Sequence, residues 1–465
     1  MLKLALAFEL RSLSRNPAAL VALLAYLATG AFAIATGAGH VADWDSTLVT
    51  ARQAQEASVA EARGFFASGR MGPADRAWIN LSVPRWQAEY SGTRVLRESS
   101  ALAGIASGSV DSAPVAFHLQ TRGDPLAAAG HRIENPEVDS GSVDLVFVLA
   151  MLTPLLIGVL ALGIGARERE EGIDRIIVVQ AGEVRSWLIA RVGAVTAVVS
   201  TAAGGLCLVA ALVGGASFAD TVMLIGLTVL YTALWSGLLL AVTATAQSVR
   251  VGAFAFGALW TLLCVLLPAV VAEVGLGRVG GDYALGETLE ARAEQWEAYQ
   301  ERPDVRMQGL YTRFPELQQL PAAAEPTLPR DLSRLSYMGG QLDRMDERHE
   351  ARLVQERTAR RFAERASWVS PPVAFTLALE RMAGVGPEAA SAYRSWVVRA
   401  LHERVRWVLV KAWSKVPLDQ ASFDGLVAAA PAAFRWQPRG VAGPSTALLG
   451  WLMLGWLVAV VRLSP

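Results

Sequence analysis

The side chains best placed to act on another molecule lie in one short run: Arg167, Glu168, Arg169, Glu170, Glu171, Gly172, Ile173, Asp174 and Arg175. The run is followed by the apolar stretch Ile176 to Val179, the break Gln180-Ala181-Gly182, and a return to hydrophobic sequence at Trp187. Carboxylates and guanidinium groups so closely interleaved suit ion pairing with a charged cleft on a soluble partner. The plainer reading is a solvated loop, because charge runs beside a membrane are common. Bond-making chemistry finds no support elsewhere in the chain. A phosphate-binding loop would need G-x-x-x-x-G-K-[ST], which is absent, and no G-x-S-x-G nucleophile pattern occurs. His40, His118, His131, His349 and His402 show no repeated close spacing, and Asp346, Glu347 and Glu350 around His349 read as a solvated helix face. Cys207 and Cys264 both lie in apolar segments, so neither a disulfide framework nor a zinc spacing exists. The expectation is a chain with no catalytic, cofactor or metal residues of its own.

The elements that must position the charged run are membrane-length. Hydrophobic residues make up 53% of the 465 and charged ones only 18%, a balance hard to reconcile with a water-soluble protein. The net charge is zero, which excludes a globally basic nucleic-acid binder. A helix needs about 20 apolar residues to cross the hydrocarbon core, and six segments reach or approach that length: 18–38, 144–166, 187–213, 221–246, 251–275 and 444–462. Lys3, Arg11 and Arg15 precede the first, Arg167, Arg169, Arg175 and Arg185 fill the link 167–186, Arg250 marks the turn before the fifth, and the connection Gly214 to Asp220 has no Lys or Arg. Cation placement therefore predicts both termini in the cytoplasm. The first segment has the basic start of a signal peptide, but its apolar stretch is longer than the usual core of one, so it is expected to stay as a pass.

Within the passes, Pro154 and Pro268 each remove a backbone donor and predict a kink. Asp144 and Glu273 are expected near the outer ends, within reach of water, and Arg191 is expected to snorkel to the inner surface. Gly193, Ala197 and Thr201 form a small-residue stripe suited to intrachain packing or to a subunit seam.

The rest of the chain is expected outside, as insertions 39–143 and 276–443 that pack into one mostly helical extracytoplasmic domain. In the second, Leu332, Leu335, Met338, Leu342, Met345 and Leu353 recur at helical spacing, and the helix should break before Pro371-Pro372. In the first, residues 48–68 favour a helix and Asp111 to Gln120 a short strand.

A short amphipathic start, Phe8-Glu9-Leu10-Arg11, leads to Arg15-Asn16-Pro17 at the mouth of the first pass. This resembles the interfacial elbow helix, here 1–17, of the ABC transporter type-2 permease superfamily. Glu170-Glu171-Gly172-Ile173 is similar to that superfamily's E-R-E-x-G-T-L coupling segment, with Ile173 and Asp174 standing in place of Thr-Leu. The two insertions, Pro154-Leu155-Leu156, and Ser370-Pro371 with Phe375 narrow the resemblance to a bacterial subgroup. That subgroup is related to the gliding-motility and nitrous-oxide-reductase maturation ABC permeases. The resemblance implies the type V exporter fold: an all-α polytopic inner-membrane protein with six transmembrane helices. It implies assembly with two ABC ATPase subunits, which would bind ATP and magnesium, and with a second copy of this chain or a related permease in the lipid bilayer. It implies that residues 167–175 transmit the ATPase motion. Substrate export and relay of motion to an extracytoplasmic protein are the two competing roles, and a scaffold without any ATPase is the third.

Overall fold

A computed structural model describes residues 2–91, 94–109, 115–119, 143–173, 184–279, 283–325, 329–416, 418–431, 433–437 and 441–462. Among the described residues, six helices are long and apolar enough to cross a membrane: Pro17–Ala67, Leu145–Glu170, Arg185–Gly214, Phe218–Thr245, Val249–Val274 and Ala442–Arg462. The chain is thus an all-α, multi-pass membrane protein, and the six spans coincide with the six expected segments. In chain order the helices used below are α1 (Leu2–Arg15), α2 (Pro17–Ala67), α3 (Pro84–Tyr90), α4 (Thr153–Ala161), α5 (Ala166–Glu170), α6 (Val184–Gly214), α7 (Phe218–Thr245), α8 (Val249–Trp260) and α9 (Leu267–Val279). They continue with α10 (Tyr283–Gln300), α11 (Pro303–Arg313), α12 (Arg330–Leu335), α13 (Tyr337–Ala366), α14 (Pro371–Ala383), α15 (Pro387–Ser414), α16 (Gln420–Ala428) and α17 (Ala442–Arg462). Among the described residues one antiparallel ribbon joins β1 (Arg94–Leu96) to β2 (Ala116–His118), with Val95 opposite Phe117. The strand expected within Asp111 to Gln120 is thereby placed at 116–118.

Local chemistry sets the ends. Asn16 separates α1 from α2, its side chain accepting from the Ala18 and Ala19 amides while Pro17 takes the first helical position. Ser217 and Ser248 cap α7 and α8 in the same way. Asp144 accepts from the Phe147 amide at 2.7 Å and is buried, so it begins the second span as a cap and does not reach for water as expected. Glu273 is exposed.

The first span does not stop at the membrane. α2 continues for 51 residues and absorbs the helix expected at 48–68. At about 1.5 Å per residue that is about 75 Å, more than twice a hydrocarbon core of about 30 Å. Gly37 on this shaft lets residues 103–109 cross it, since a Cβ there would lie 1.9 Å from the Gly104 carbonyl.

At both prolines expected to kink their helices the preceding backbone takes one form. A π-turn, Val148–Leu152, precedes Pro154, and a second, Thr261–Leu266, precedes Pro268. In each, the residue before the proline reaches back five positions, Thr153 to Val148 and Leu267 to Leu262. Carbonyls of the π-turns also accept from side chains. Tyr231 donates its hydroxyl to Ala150 at 2.7 Å, Trp260 its indole N–H to Met151 at 3.2 Å, and Ser370 its hydroxyl to Leu263 at 3.1 Å. Satisfying them inside the protein is what makes broken helices tolerable in hydrocarbon.

Ser370 belongs to the region expected wholly outside, and its position changes that picture. α13 descends along α9, turns at Ser367–Ser370 beside the middle of the fifth span, and returns as α14. Phe375 of α14 stacks on Tyr231 of the fourth span with centroids 4.2 Å apart, and the Trp368 carbonyl accepts from Trp451 in the middle of the sixth at 3.0 Å. Ala374, Phe375, Ala378, Leu379 and Met382 share one core with the spans. An apolar helix starting at Pro371 is better buried among spans than in water, so the 276–443 insertion sends a hairpin back into the bundle.

Beyond the bundle, the two insertions pack as one unit, with a core that joins Val95, Phe117 and Leu119 to residues of α11, α13 and α15. Tyr393 donates to the Val95 carbonyl at 3.0 Å, and Arg404, buried in α15, donates to Ala88 at 3.1 Å and to Ser91 at 2.7 Å. Burial pushes the Arg404 guanidinium down to about 10, which leaves it charged at neutral pH. Arg97 is fixed by Gly384, Trp44 and Tyr393: it donates to the Gly384 carbonyl at 3.0 Å and lies over the Trp44 ring at 5.1 Å and the Tyr393 ring at 5.8 Å. Asp346 accepts from Arg313 at 2.6 Å and pairs with His402 at 2.9 Å. Burial works to raise the Asp346 carboxyl, but those two partners outweigh it and hold it below the usual carboxylate range.

Two outcomes follow from this packing. Tyr231→Phe leaves the Ala150 carbonyl unpaired and should cost about 1–3 kcal/mol, read as a lowered melting temperature in detergent. The depressed Asp346 value contributes stability above the unfolded carboxylate value, about 3.9, that is lost as pH falls through the folded value. Acidification below about pH 4 should therefore destabilise the wild-type chain more than Asp346→Asn, compared by melting across pH.

Candidate functional site

At the end of the bundle nearest α1, the charged run forms a small structure of its own. Gly165 adopts φ +82°, a left-handed conformation that suits glycine, and the chain turns there from the second span into α5. Glu168 folds back to accept from the Gly165 amide at 2.6 Å. Glu171, Gly172 and Ile173 close the turn, with Gly172 at φ +68° and the Ile173 amide bonded to the Glu168 carbonyl at 2.8 Å.

The side chains of this run divide into two faces. On the inward face, Glu168 pairs with Arg191 of the third span, and Arg191 pairs at the same time with Glu9 of α1. The Arg191 guanidinium also lies over the Trp187 ring at 4.2 Å and the Phe8 ring at 5.2 Å. Arg169 donates to the Thr243 carbonyl and, at 2.7 Å, to the Ala244 carbonyl, which are the last turn of the fourth span. Glu170 accepts from the Val249 amide at 3.4 Å, the first residue of the fifth span. The outward face carries Arg167 and Glu171, joined loosely at 3.9 Å, together with Gly172 and Ile173, all exposed. Asp174 and Arg175 lie outside the described residues.

Glu168 and Arg169 are therefore internal fasteners, and the surface open to a partner is Arg167, Glu171, Ile173 and the exposed part of Glu170. Glu168, Arg169 and Glu170 tie α5 to the third, fourth and fifth spans, and Arg191 extends the tie to Glu9 of α1. Arg191 does not snorkel to water as expected: it is 8% exposed. Two carboxylates and two aromatic faces supply what solvent would have given it. Glu9 and Arg191 were not recognised from sequence as partners. The signal present was local: Phe8-Glu9 on an amphipathic helix, and Trp187 one turn before Arg191.

Pro154 is buried and Pro268 half-buried, each at its π-turn away from this cluster. The stripe Gly193, Ala197 and Thr201 on α6 faces away from the bundle in part: Ala197 and Thr201 are exposed, and open space surrounds Gly193. Among the described residues no group of His, Cys, Asp and Glu is placed to hold a metal ion.

A protein-family model described as a domain of unknown function, DUF3526, matches residues 286–429. That range runs from α10 to α16, and so takes in the returning hairpin. No curated protein and no solved structure matches the chain.

Arg191→Met strands two nearly buried carboxylates and should cost about 3–5 kcal/mol, measured by unfolding in detergent. Trypsin should then cut faster at Lys3, Arg11 and Arg15 as α1 comes free. Arg191→Lys should recover only part, because an ammonium lacks the planar fork that meets two carboxylates and stacks on rings. Arg167→Met should change stability by less than about 0.5 kcal/mol.

Proposed function

We propose that this chain is the transmembrane permease subunit of an ATP-driven ABC exporter of the type V fold in the bacterial inner (cytoplasmic) membrane. In this reading a separate nucleotide-binding subunit hydrolyses ATP with magnesium, two such subunits act on two permeases, and the permeases are two copies of this chain or this chain and a related one. Both termini and the 167–186 link face the cytoplasm, and the two insertions lie on the periplasmic side. The chain itself is non-catalytic, binds no nucleic acid and holds no cofactor.

The observation that carries the proposal is the two-faced character of α5. Its exposed face presents alternating charge and one apolar residue, Ile173, to the surrounding medium. Its other face is bonded to α6, α7 and α8, and through Arg191 of α6 to Glu9 of α1. A partner that closes on nucleotide and grips the outward face would move the span ends through Arg191, Arg169 and Glu170. Each of those contacts is charge-assisted and directional, so a shift of α5 is transmitted and not absorbed. Interleaved charge on α5 is suited to a charged cleft, and the cations Lys3, Arg11 and Arg15 ahead of the first span support the cytoplasmic side for this end.

Relay of motion to an extracytoplasmic protein is favoured by a separate observation. The shaft α2 is continuous from bundle to insertion, and the α13–α14 hairpin returns from the insertion to the middle of the spans. Movement of the spans would therefore reach the far-end domain directly, with or without a transported substrate.

In proteoliposomes containing the permease and its ATPase, Arg167→Glu with Glu171→Lys, both on the exposed outward face, should abolish stimulation of ATP hydrolysis while the chain still inserts and melts normally. Unchanged stimulation would refute the coupling role. A cysteine at Arg167 or Ile173 should cross-link to the ATPase, and capture of no nucleotide hydrolase would refute it equally.

A further inference from the structure

One face of the returning hairpin changes charge where it enters the bundle. Helix α13 exposes Glu347 and Glu350 in its upper part, then Arg357, Arg361 and Arg365 in its lower part, and ends above exposed Trp368 and Val369. At 100° per residue these three arginines and Trp368 fall within one narrow stripe. The stripe lies where α13 runs beside α9, the half of the fifth span that leads toward the insertion. Its foot is fixed there by Ser370 on Leu263 and by Trp368 on Trp451.

The arginines elsewhere on α13 are held. Arg344 bonds Glu301, Arg348 pairs with Glu294, Arg352 with Glu356, and Arg360 with Glu364 and Glu388. Glu364, the carboxylate at the edge of the stripe, is taken by Arg360 and Arg381. Arg357, Arg361 and Arg365 have no ion pair among the described residues and are exposed. A guanidinium facing hydrocarbon is costly unless it meets water or an anion. The neighbouring surface is apolar: Val270 and Val274 of α9 are exposed, as are Trp368 and Val369.

We propose that this stripe is a binding site for an anionic phospholipid, its phosphate held by Arg357, Arg361 and Arg365 and its acyl chains laid against Trp368 and Val369. Three cations spaced one turn apart cover about 12 Å of helix, enough to receive a phosphate at more than one height. Arg forks match phosphate oxygens in pairs, and the aromatic foot matches the chain below. Glu347 and Glu350 would repel the same head group higher on the helix, which sets the depth at which it stops. The inference requires only that the six spans lie in a bilayer, and is independent of any ATPase partner.

The full chain in nanodiscs of phosphatidylcholine, with and without phosphatidylglycerol, tests it. Phosphatidylglycerol should raise the melting temperature, and the triple variant R357Q/R361Q/R365Q should lose most of that rise. The triple lysine variant should keep more of it than the glutamine variant. Brominated phosphatidylglycerol should quench the wild-type tryptophan fluorescence more than it quenches Trp368→Phe, and brominated phosphatidylcholine should show a smaller difference between the two. Because the three arginines are exposed, the glutamine variant should melt like wild type in phosphatidylcholine alone. An equal rise for wild type and the glutamine variant would overturn the proposal. So would protection by soluble glycerophosphate equal to that by the lipid, which would make the site one for free anions. Efficient disulfide formation between two copies bearing Arg361→Cys would also overturn it, by assigning the face to a second copy of the chain.

Discussion

No backbone carbonyl can be left unpaired in hydrocarbon, and in this protein two prolines create that problem in the second and fifth spans. Carbonyls of the π-turns before Pro154 and Pro268 accept from side chains. The three donors come from different parts of the chain: Tyr231 from the fourth span, Trp260 from the fifth and Ser370 from the second insertion. Each bond also becomes a tie. Tyr231 brings Phe375 onto its ring, and Ser370 serves at once as the cap of α14 and as the donor to Leu263. The hairpin's place among the spans is thus bound up with the backbone needs of the fifth span.

Polar satisfaction organises the opposite end in the same manner. Arg191 is held by Glu9, Glu168, Phe8 and Trp187 because burial leaves it no water. Arg169 finds the last carbonyls of α7, where a helix C-terminus favours a cation. The result is one cluster that gathers α1 and the ends of four spans around α5. Small changes there must be shared among all of them, since a densely packed end has few intermediate arrangements.

Between these two ends run two kinds of connection. The shaft α2 passes from the bundle into the insertion without a break, and α13 passes the other way. Arg97 locks the first to the second through Trp44 and Gly384. The region matched by the DUF3526 family, 286–429, is therefore partly a far-end domain and partly a component of the bundle core. A unit that straddles bundle and surface suits a protein that moves as well as one that anchors, and the proposed lipid stripe lies at that boundary.

The six spans, the positions of the two prolines and the charged run were all legible in the sequence. Each depends on local composition or spacing, and such signals survive without knowledge of contacts. The helical nature of residues 332–366 and the break before Pro371 were legible for the same reason. What sequence could not supply were pairings across long separations: Glu9 with Arg191, Tyr231 with Ala150, Ser370 with Leu263. Polar side chains in apolar surroundings announce that a partner exists and do not say where it is. Asp144 and Arg191 were accordingly expected at water, whereas packing provided each with protein partners. The return of α14 into the bundle was likewise a tertiary decision. Its apolar face marked a helix that needed covering, and only the assembled spans, with a carbonyl to be met at Leu263, offered the place.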